Sequence, residues 1–107
     1  MNQSRMQKLV GFLKENPQDS FSRFALALEQ LKAGDVNKAR EHFEFIQLND
    51  PGYVGVYYHL GKLYQNTGNP EKAIKTFTNG ISVARNAQNH HAASELEQAL
   101  QEIETEE

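Results

Sequence analysis

The chain has 107 residues, 38 % of them hydrophobic and 23 % charged, which is the size and composition of one ordinary domain. With no cysteine it has no disulfide framework, no Cys-ligated zinc or iron–sulfur site and no Cys nucleophile, and no run approaches the roughly 18–20 consecutive apolar residues of a membrane span. The net charge of −3 divides unevenly, +3 on residues 1–94 and −6 on residues 95–107, and a body charge that small gives no case for nucleic acid.

Residues 4–15 put Leu9, Val10, Phe12 and Leu13 on an apolar helical face before Asn16-Pro17. Charge interrupts the apolar residues too early for a signal peptide, so a cytoplasmic chain is expected and the Asn2-Gln3-Ser4 glycosylation triplet carries no meaning. Ser20–Ala33 is a second helix, apolar at Phe21, Phe24, Leu26, Ala27, Leu28 and Leu31. Gly34 supplies its left-handed stop, and Asp35 is placed to cap the next helix. Val36–Leu48 carries a stripe of Val36, Ala39, Phe43, Phe45 and Ile46 and ends at Asn49-Asp50-Pro51-Gly52.

Tyr53–Asn66 repeats the second helix through Tyr57, Leu60, Gly61 and Tyr64. Gly68-Asn69-Pro70-Glu71 is then a stop and a restart, with glycine, an Asn cap, Pro at the first helical position and an acid in the first turn. The fifth helix follows through Ala73, Ile74, Phe77, Ile81 and Ala84. The sixth, from about Asn89 to Glu104, sets Ala92, Leu96, Ala99, Leu100 and Ile103 opposite its acids, as a terminal capping helix does. No segment alternates as a half-buried strand would, so the fold class is all-α with six helices.

A fixed period links these elements. A shift of thirty-four residues carries Pro17 to Pro51, Leu26 to Leu60, Gly34 to Gly68, Lys38 to Lys72, Ala39 to Ala73 and Phe43 to Phe77, and places Ala27 on Gly61. Breakers, small residues and a Phe recurring together mark stacked supersecondary units. Phe12-Leu13-Lys14-Glu15-Asn16-Pro17 has the rhythm of Ile46 to Pro51, so the first helix reads as the second half of a preceding unit.

These residues resemble the tetratricopeptide repeat. Residues 54–87 fit its pattern at Tyr57, Leu60, Gly61, Tyr64, Ala73, Phe77 and Gly80, with Arg85 in place of the closing proline. Residues 20–53 fit at Leu26, Ala27, Ala39, Phe43 and Pro51 and depart at Arg23, Gln30 and Ile46. The resemblance implies one domain over 1–107, an α-solenoid of stacked antiparallel helix pairs. Its parts are an N-terminal half repeat at 4–15, repeats at 20–53 and 54–87, and a capping helix at 89–105. Gly61 and Ala27 are expected to admit the facing helices at Ala73 and Ala39, with Phe43 and Phe77 filling space between units. The missing proline at Arg85 predicts a fifth helix running through Ala87 and a late start to the sixth.

In that family the first helices of successive units line a concave groove. Carried over, its walls are Phe21, Phe24, Leu28, Leu31 and Lys32, and Gly55, Tyr58, Lys62, Gln65 and Asn66, with His59 in the same region. One wall is apolar and aromatic and the other polar, which suits a peptide with apolar anchors and a nearby acid. The competing reading makes Phe21, Phe24 and Leu28 core, or a face covered by a second copy. The clamp by which some members grip a chaperone's C-terminal carboxylate is absent, because Phe24, Leu28 and His59 occupy its places and the closing helix has no Lys or Arg.

Catalytic and metal chemistry find little footing. His91 and Glu95, four apart beside His90, form at most half a zinc site, with no third ligand at suitable spacing. His42 reads as lying on an outer face, and neither it nor His59 has an evident carboxylate partner. No nucleophile elbow or phosphate-cradling loop occurs. The expected function is non-catalytic protein–protein interaction without a cofactor, either through a protein or peptide partner in the groove or through homodimerisation by the same surface. Met1 and the acidic last helix favour a complete chain.

Overall fold

The computed structural model describes the backbone of residues 2–106 and the side chains of residues 4–106. Among the described residues six α-helices follow one another, α1 (Asn2–Glu15), α2 (Ser20–Lys32), α3 (Val36–Asn49), α4 (Gly55–Asn66), α5 (Pro70–Asn86) and α6 (His90–Glu106), with no strand. They form two compact units, one over Met1–Asp50 and one over Pro51–Glu107.

In the first unit α2 packs on both α1 and α3. Asp19 starts α2 by accepting from the Ser22 N–H at 2.9 Å. Hydrogen bonds from the Ser22 hydroxyl and then from its backbone hold the Asp19 carboxyl below the usual carboxylate range. Ala25, Leu26, Ala27, Ala39, Phe43 and Ile46 are buried, and so is Leu13 of α1. The Glu29 carboxylate, buried on α2, ties α1 down through Arg5 at 3.4 Å and also meets Lys32 at 3.8 Å. At the far end of α3, Asp50 accepts from the Ser20 hydroxyl at 2.6 Å.

In the second unit α5 packs on both α4 and α6, and α4 also touches α6. At Gly61 and Gly80 the neighbouring helix leaves no room for a side chain. A Cβ on Gly61 would lie 2.6 Å from Cδ1 of Phe77, and one on Gly80 would lie 2.5 Å from Tyr57 Cβ and 3.1 Å from Leu96 Cδ1. The room beside Gly61 thus admits the facing helix α5, which carries Ala73, and the ring of Phe77 on that helix takes the space nearest the glycine. Tyr57, Leu60, Phe77, Ala84 and Leu96 close the core of this unit.

The helix boundaries follow from the punctuation. Gly34 and Gly68 adopt φ of +86° and +83°, and the next N–H turns back to the helix it leaves: Asp35 to the Gln30 carbonyl at 2.9 Å, Asn69 to Tyr64 at 2.8 Å. A third turn of the same form ends α5, where Gln88 at φ +58° precedes the bond from Asn89 to the Ala84 carbonyl at 2.9 Å. Asp35 and Asn69 occupy the expected cap positions, yet their side chains make no cap hydrogen bond. Asp35 turns instead to Lys38 at 3.6 Å. With no proline to stop it at Arg85, α5 continues to Asn86 and α6 begins at His90, where Asn89 accepts from the Ala92 N–H at 3.1 Å.

Candidate functional site

The first unit presents an apolar stripe along α2. Phe21, Phe24, Leu28 and Leu31 recur at helical spacing on one side, opposite Leu26 and Gln30, which are buried. Phe21 is 70 % exposed; Phe24, Leu28 and Leu31 are half-buried, and Lys32 at the end of the stripe is exposed. The stripe is therefore not sealed core. Its floor is aromatic, since the Phe24 ring rests against Phe43 with centroids 5.8 Å apart.

Behind that stripe, on α2 and α3, is a cluster that sequence reasoning placed wrongly. His42 lies half-buried, and its Nδ1 stands 3.0 Å from the Arg23 guanidinium. Arg23 also donates to the Pro17 carbonyl at 2.7 Å and stacks over the Phe45 ring at 3.8 Å. Burial first, and the Arg23 charge second, depress the His42 pKa, with Glu41 opposing. The neutral imidazole is thus the form that accepts from Arg23. The residue was misread as outer-face because His42 is polar and flanked by Glu41, while what covers it comes from another helix.

The second unit presents α4 differently. Tyr58, His59, Lys62 and Gln65 are half-buried and Asn66 and Gly55 exposed. Tyr58 lies against Phe77 at 6.4 Å between ring centroids and edge-on to His59 at 5.6 Å. Burial lowers the His59 pKa, and Glu95 partly restores it. A cleft of about 130 Å³ runs between α4 and α6, where Tyr58 and Lys62 face Glu95, Gln98, Ala99 and Glu102. The contribution of α6 was missed because its acids read as a solvated face. The spacing of Glu95 and Glu102, seven apart and so on one side of a helix, is the signal that could have shown it.

His91 Nε2 and Glu95 Oε2 are 3.7 Å apart, an ion pair when the imidazole is protonated, and among the described residues no group of three or more His, Asp or Glu side chains is gathered for a metal. Among the same residues no helix is long and apolar enough to cross a membrane.

Residues 30–94 match the sequence pattern of the tetratricopeptide repeat family. The chain belongs to that family. The crystal structure of a tetratricopeptide repeat domain protein from Salinibacter ruber is 43 % identical over 84 % of this chain and all of that one, with a TM-score of 0.82. A solution structure of a tetratricopeptide repeat domain protein from the same organism is 44 % identical over 85 % of this chain and 92 % of that one, also at 0.82. A solution structure of a Bordetella parapertussis protein covers 94 % of this chain and 88 % of its own at a TM-score of 0.80, and at 22 % identity the likeness is one of fold. No curated protein sequence matches. The tetratricopeptide repeat is an all-α solenoid fold, in general a protein-interaction scaffold and not a catalytic one, and one scaffold of this kind serves many partners.

Proposed function

We propose that this tetratricopeptide repeat protein binds a peptide segment of a partner protein on the exposed faces of its first helices, in the cytoplasm and without catalysis. The observation that supports this reading is the open stripe on α2, where Phe21 is 70 % exposed and Phe24, Leu28 and Leu31 remain partly accessible. Apolar side chains three and four apart take the anchors of a helical or extended peptide, and Lys32 at the end of the stripe favours an acid there. In the other unit, Tyr58, His59, Lys62, Gln65 and Asn66 of α4 offer a separate polar face with one cation. The division into repeats at 20–53 and 54–87, with a half repeat at 4–15 and a capping helix at 89–105, belongs to the same proposal.

The test is capture of partners from the source cell's lysate by wild type and by a Phe21→Glu/Leu28→Glu variant whose helicity is unchanged by circular dichroism. Partners kept by wild type and lost by the folded variant support the groove. Retention of the same partners by that variant overturns it. Light scattering on both proteins separates this reading from homodimerisation through the same stripe, in which wild type alone would double its mass.

A further inference from the structure

The intervals along the α2 stripe are three, four and three residues, from Phe21 to Phe24, Leu28 and Leu31. That is the spacing of the apolar seam along which two α-helices pack side by side. At a rise of about 1.5 Å per residue the four side chains stand about 4.5, 6 and 4.5 Å apart along the axis. A helix with the same apolar spacing meets every step of this ladder. An extended chain sets its same-side residues about 6.6 Å apart, so its fourth contact has run about 5 Å past Leu31.

The two ends of the ladder differ in charge. Beyond Leu31, Lys32 and Arg5 share one carboxylate, Glu29, and Arg5 is the nearer at 3.4 Å against 3.8 Å. One positive charge is therefore left over, and the Lys32 side chain that carries it is largely exposed. Before Phe21, the carboxylates of Asp19 and Asp50 bond to the Ser22 N–H and the Ser20 hydroxyl, both uncharged. Arg23 on this side is held by the Pro17 carbonyl, His42 and the Phe45 ring. Even with Arg23 counted against the two acids, one negative charge is left over.

These charges give the ladder a direction. A helix commonly bears acids in its first turn and bases in its last, because those positions complement its own dipole. Laid antiparallel to α2, such a helix brings its acids to Lys32 and its bases to Asp50, and its dipole runs against that of α2. Laid parallel, it sets acid beside Asp19 and Asp50 and base beside Lys32, so both ends repel.

We infer that the ligand of the α2 stripe is an amphipathic helix of a partner protein, lying antiparallel to α2 with an acid of its first turn at Lys32 and a base of its last turn at Asp50. Its apolar residues recur at intervals of three and four and pack between Phe21, Phe24, Leu28 and Leu31. The inference rests on the peptide-binding reading of this stripe and names the form and the polarity of the peptide.

The experiment is fluorescence anisotropy of labelled peptides of about eighteen residues, long enough to form a helix on the surface, at about 50 mM salt. The first peptide has leucines at intervals of three and four, glutamates in its first turn and lysines in its last. The second exchanges those glutamates and lysines. The third keeps the composition and ends of the first but sets its leucines at every second residue, as an extended chain would need. The proteins are wild type, Phe21→Glu/Leu28→Glu and Lys32→Glu/Asp50→Lys, with unchanged helicity confirmed by circular dichroism.

The first peptide is expected to bind wild type about threefold to tenfold more tightly than the second, the difference that two exposed ion pairs supply. It is expected to bind at least about tenfold more tightly than the third. Lys32→Glu/Asp50→Lys should reverse the order of the first two, and Phe21→Glu/Leu28→Glu should bind none of the three. Equal binding of the third peptide overturns the helix and leaves the stripe open to an extended ligand. Equal binding of the first two, or an order that the charge exchange does not reverse, overturns the antiparallel polarity. Failure of the first peptide to bind, while lysate partners are still lost by Phe21→Glu/Leu28→Glu, overturns this inference alone. Binding that survives Phe21→Glu/Leu28→Glu overturns it together with the stripe as the site. A wild type that is dimeric by light scattering, with that variant monomeric, overturns it in favour of α2 of a second copy.

Discussion

Arg23 and Tyr57 stand thirty-four residues apart and make the same hydrogen bond. Tyr57 donates its hydroxyl to the Pro51 carbonyl at 2.5 Å, and Arg23 donates Nη2 to the Pro17 carbonyl at 2.7 Å. Pro17 and Pro51 are themselves thirty-four apart. In each unit the residue at this place pins the turn that leads into its own helix. An arginine does what the aromatic does by reaching further, and the Phe45 ring beneath it and His42 beside it hold the longer side chain in place.

Removing either bond has a predictable cost. Tyr57→Phe deletes one neutral hydrogen bond and should lower stability by about 1 kcal/mol. Arg23→Ala deletes a charge-assisted bond and a cation–π contact, and should cost about 2–3 kcal/mol. Arg23→Tyr, which restores the aromatic of the neighbouring repeat, should recover part of that loss. Urea unfolding of the four proteins measures the order. Equal stability of Arg23→Ala and wild type would show that the guanidinium is not holding the turn.

Glycine to alanine should act with opposite signs at two helical positions. A Cβ on Gly11 of α1 meets nothing within 4 Å, so Gly11→Ala gains helix propensity, up to about 1 kcal/mol. On Gly61 of α4 the same methyl overlaps the ring of Phe77, and overpacking of about 1–3 kcal/mol outweighs the propensity gain. Pairing Gly61→Ala with Phe77→Leu should return part of the stability by vacating the ring's space. Thermal unfolding of the two single variants and the double variant decides this.

The order of elements was legible because the chain marks its stops with residues whose backbone demands are strict. Gly34 and Gly68 take positive φ, Pro70 opens α5, and Pro17 and Pro51 follow helix ends, so the predicted helices differ from the observed ones by only a residue or two at most ends. The sites were less legible, because a side chain's partners depend on helices distant in sequence. Periodicity places His42 on a face of α3 but cannot show that Arg23 of α2 covers it. It placed Glu95 and Glu102 on the wet side of α6 without revealing that Tyr58 and Lys62 lie opposite. Gln88 was invisible for another reason, since a left-handed residue that is not glycine leaves no compositional trace.

That residue is itself a test of the turn geometry. Gln88 holds φ +58° at the place where Gly34 and Gly68 stand in the two earlier turns. Gln88→Gly removes the steric cost of a side chain in the left-handed region and should stabilise the chain by about 0.5–1 kcal/mol. Gly34→Ala, the reverse change in an equivalent turn, should destabilise by about 1 kcal/mol or more, although a Cβ there meets no other atom within 4 Å. Chemical denaturation gives both values, and the same sign for the two variants would contradict the shared turn.

Stability should fall as the solution is acidified through the histidine range. Burial lowers the folded-state pKa of both His42 and His59, so between the folded and unfolded values the unfolded chain binds more protons. The contribution is complete above the unfolded value of about 6.5 and is lost progressively as pH falls from there toward the folded values. At His42 the loss has a visible cause, because a proton on Nδ1 removes the acceptor of the Arg23 bond and sets two cations 3.0 Å apart. Asp19 adds a loss of the same sign at more acid pH, below the usual carboxylate value of about 3.8, where its bonds from Ser22 give way. Unfolding midpoints measured between pH 7.5 and pH 5 should therefore decline for wild type and decline less for His42→Asn, whose amide oxygen can accept from Arg23 without titrating. Equal slopes for the two proteins would remove His42 from the pH response and leave it to His59.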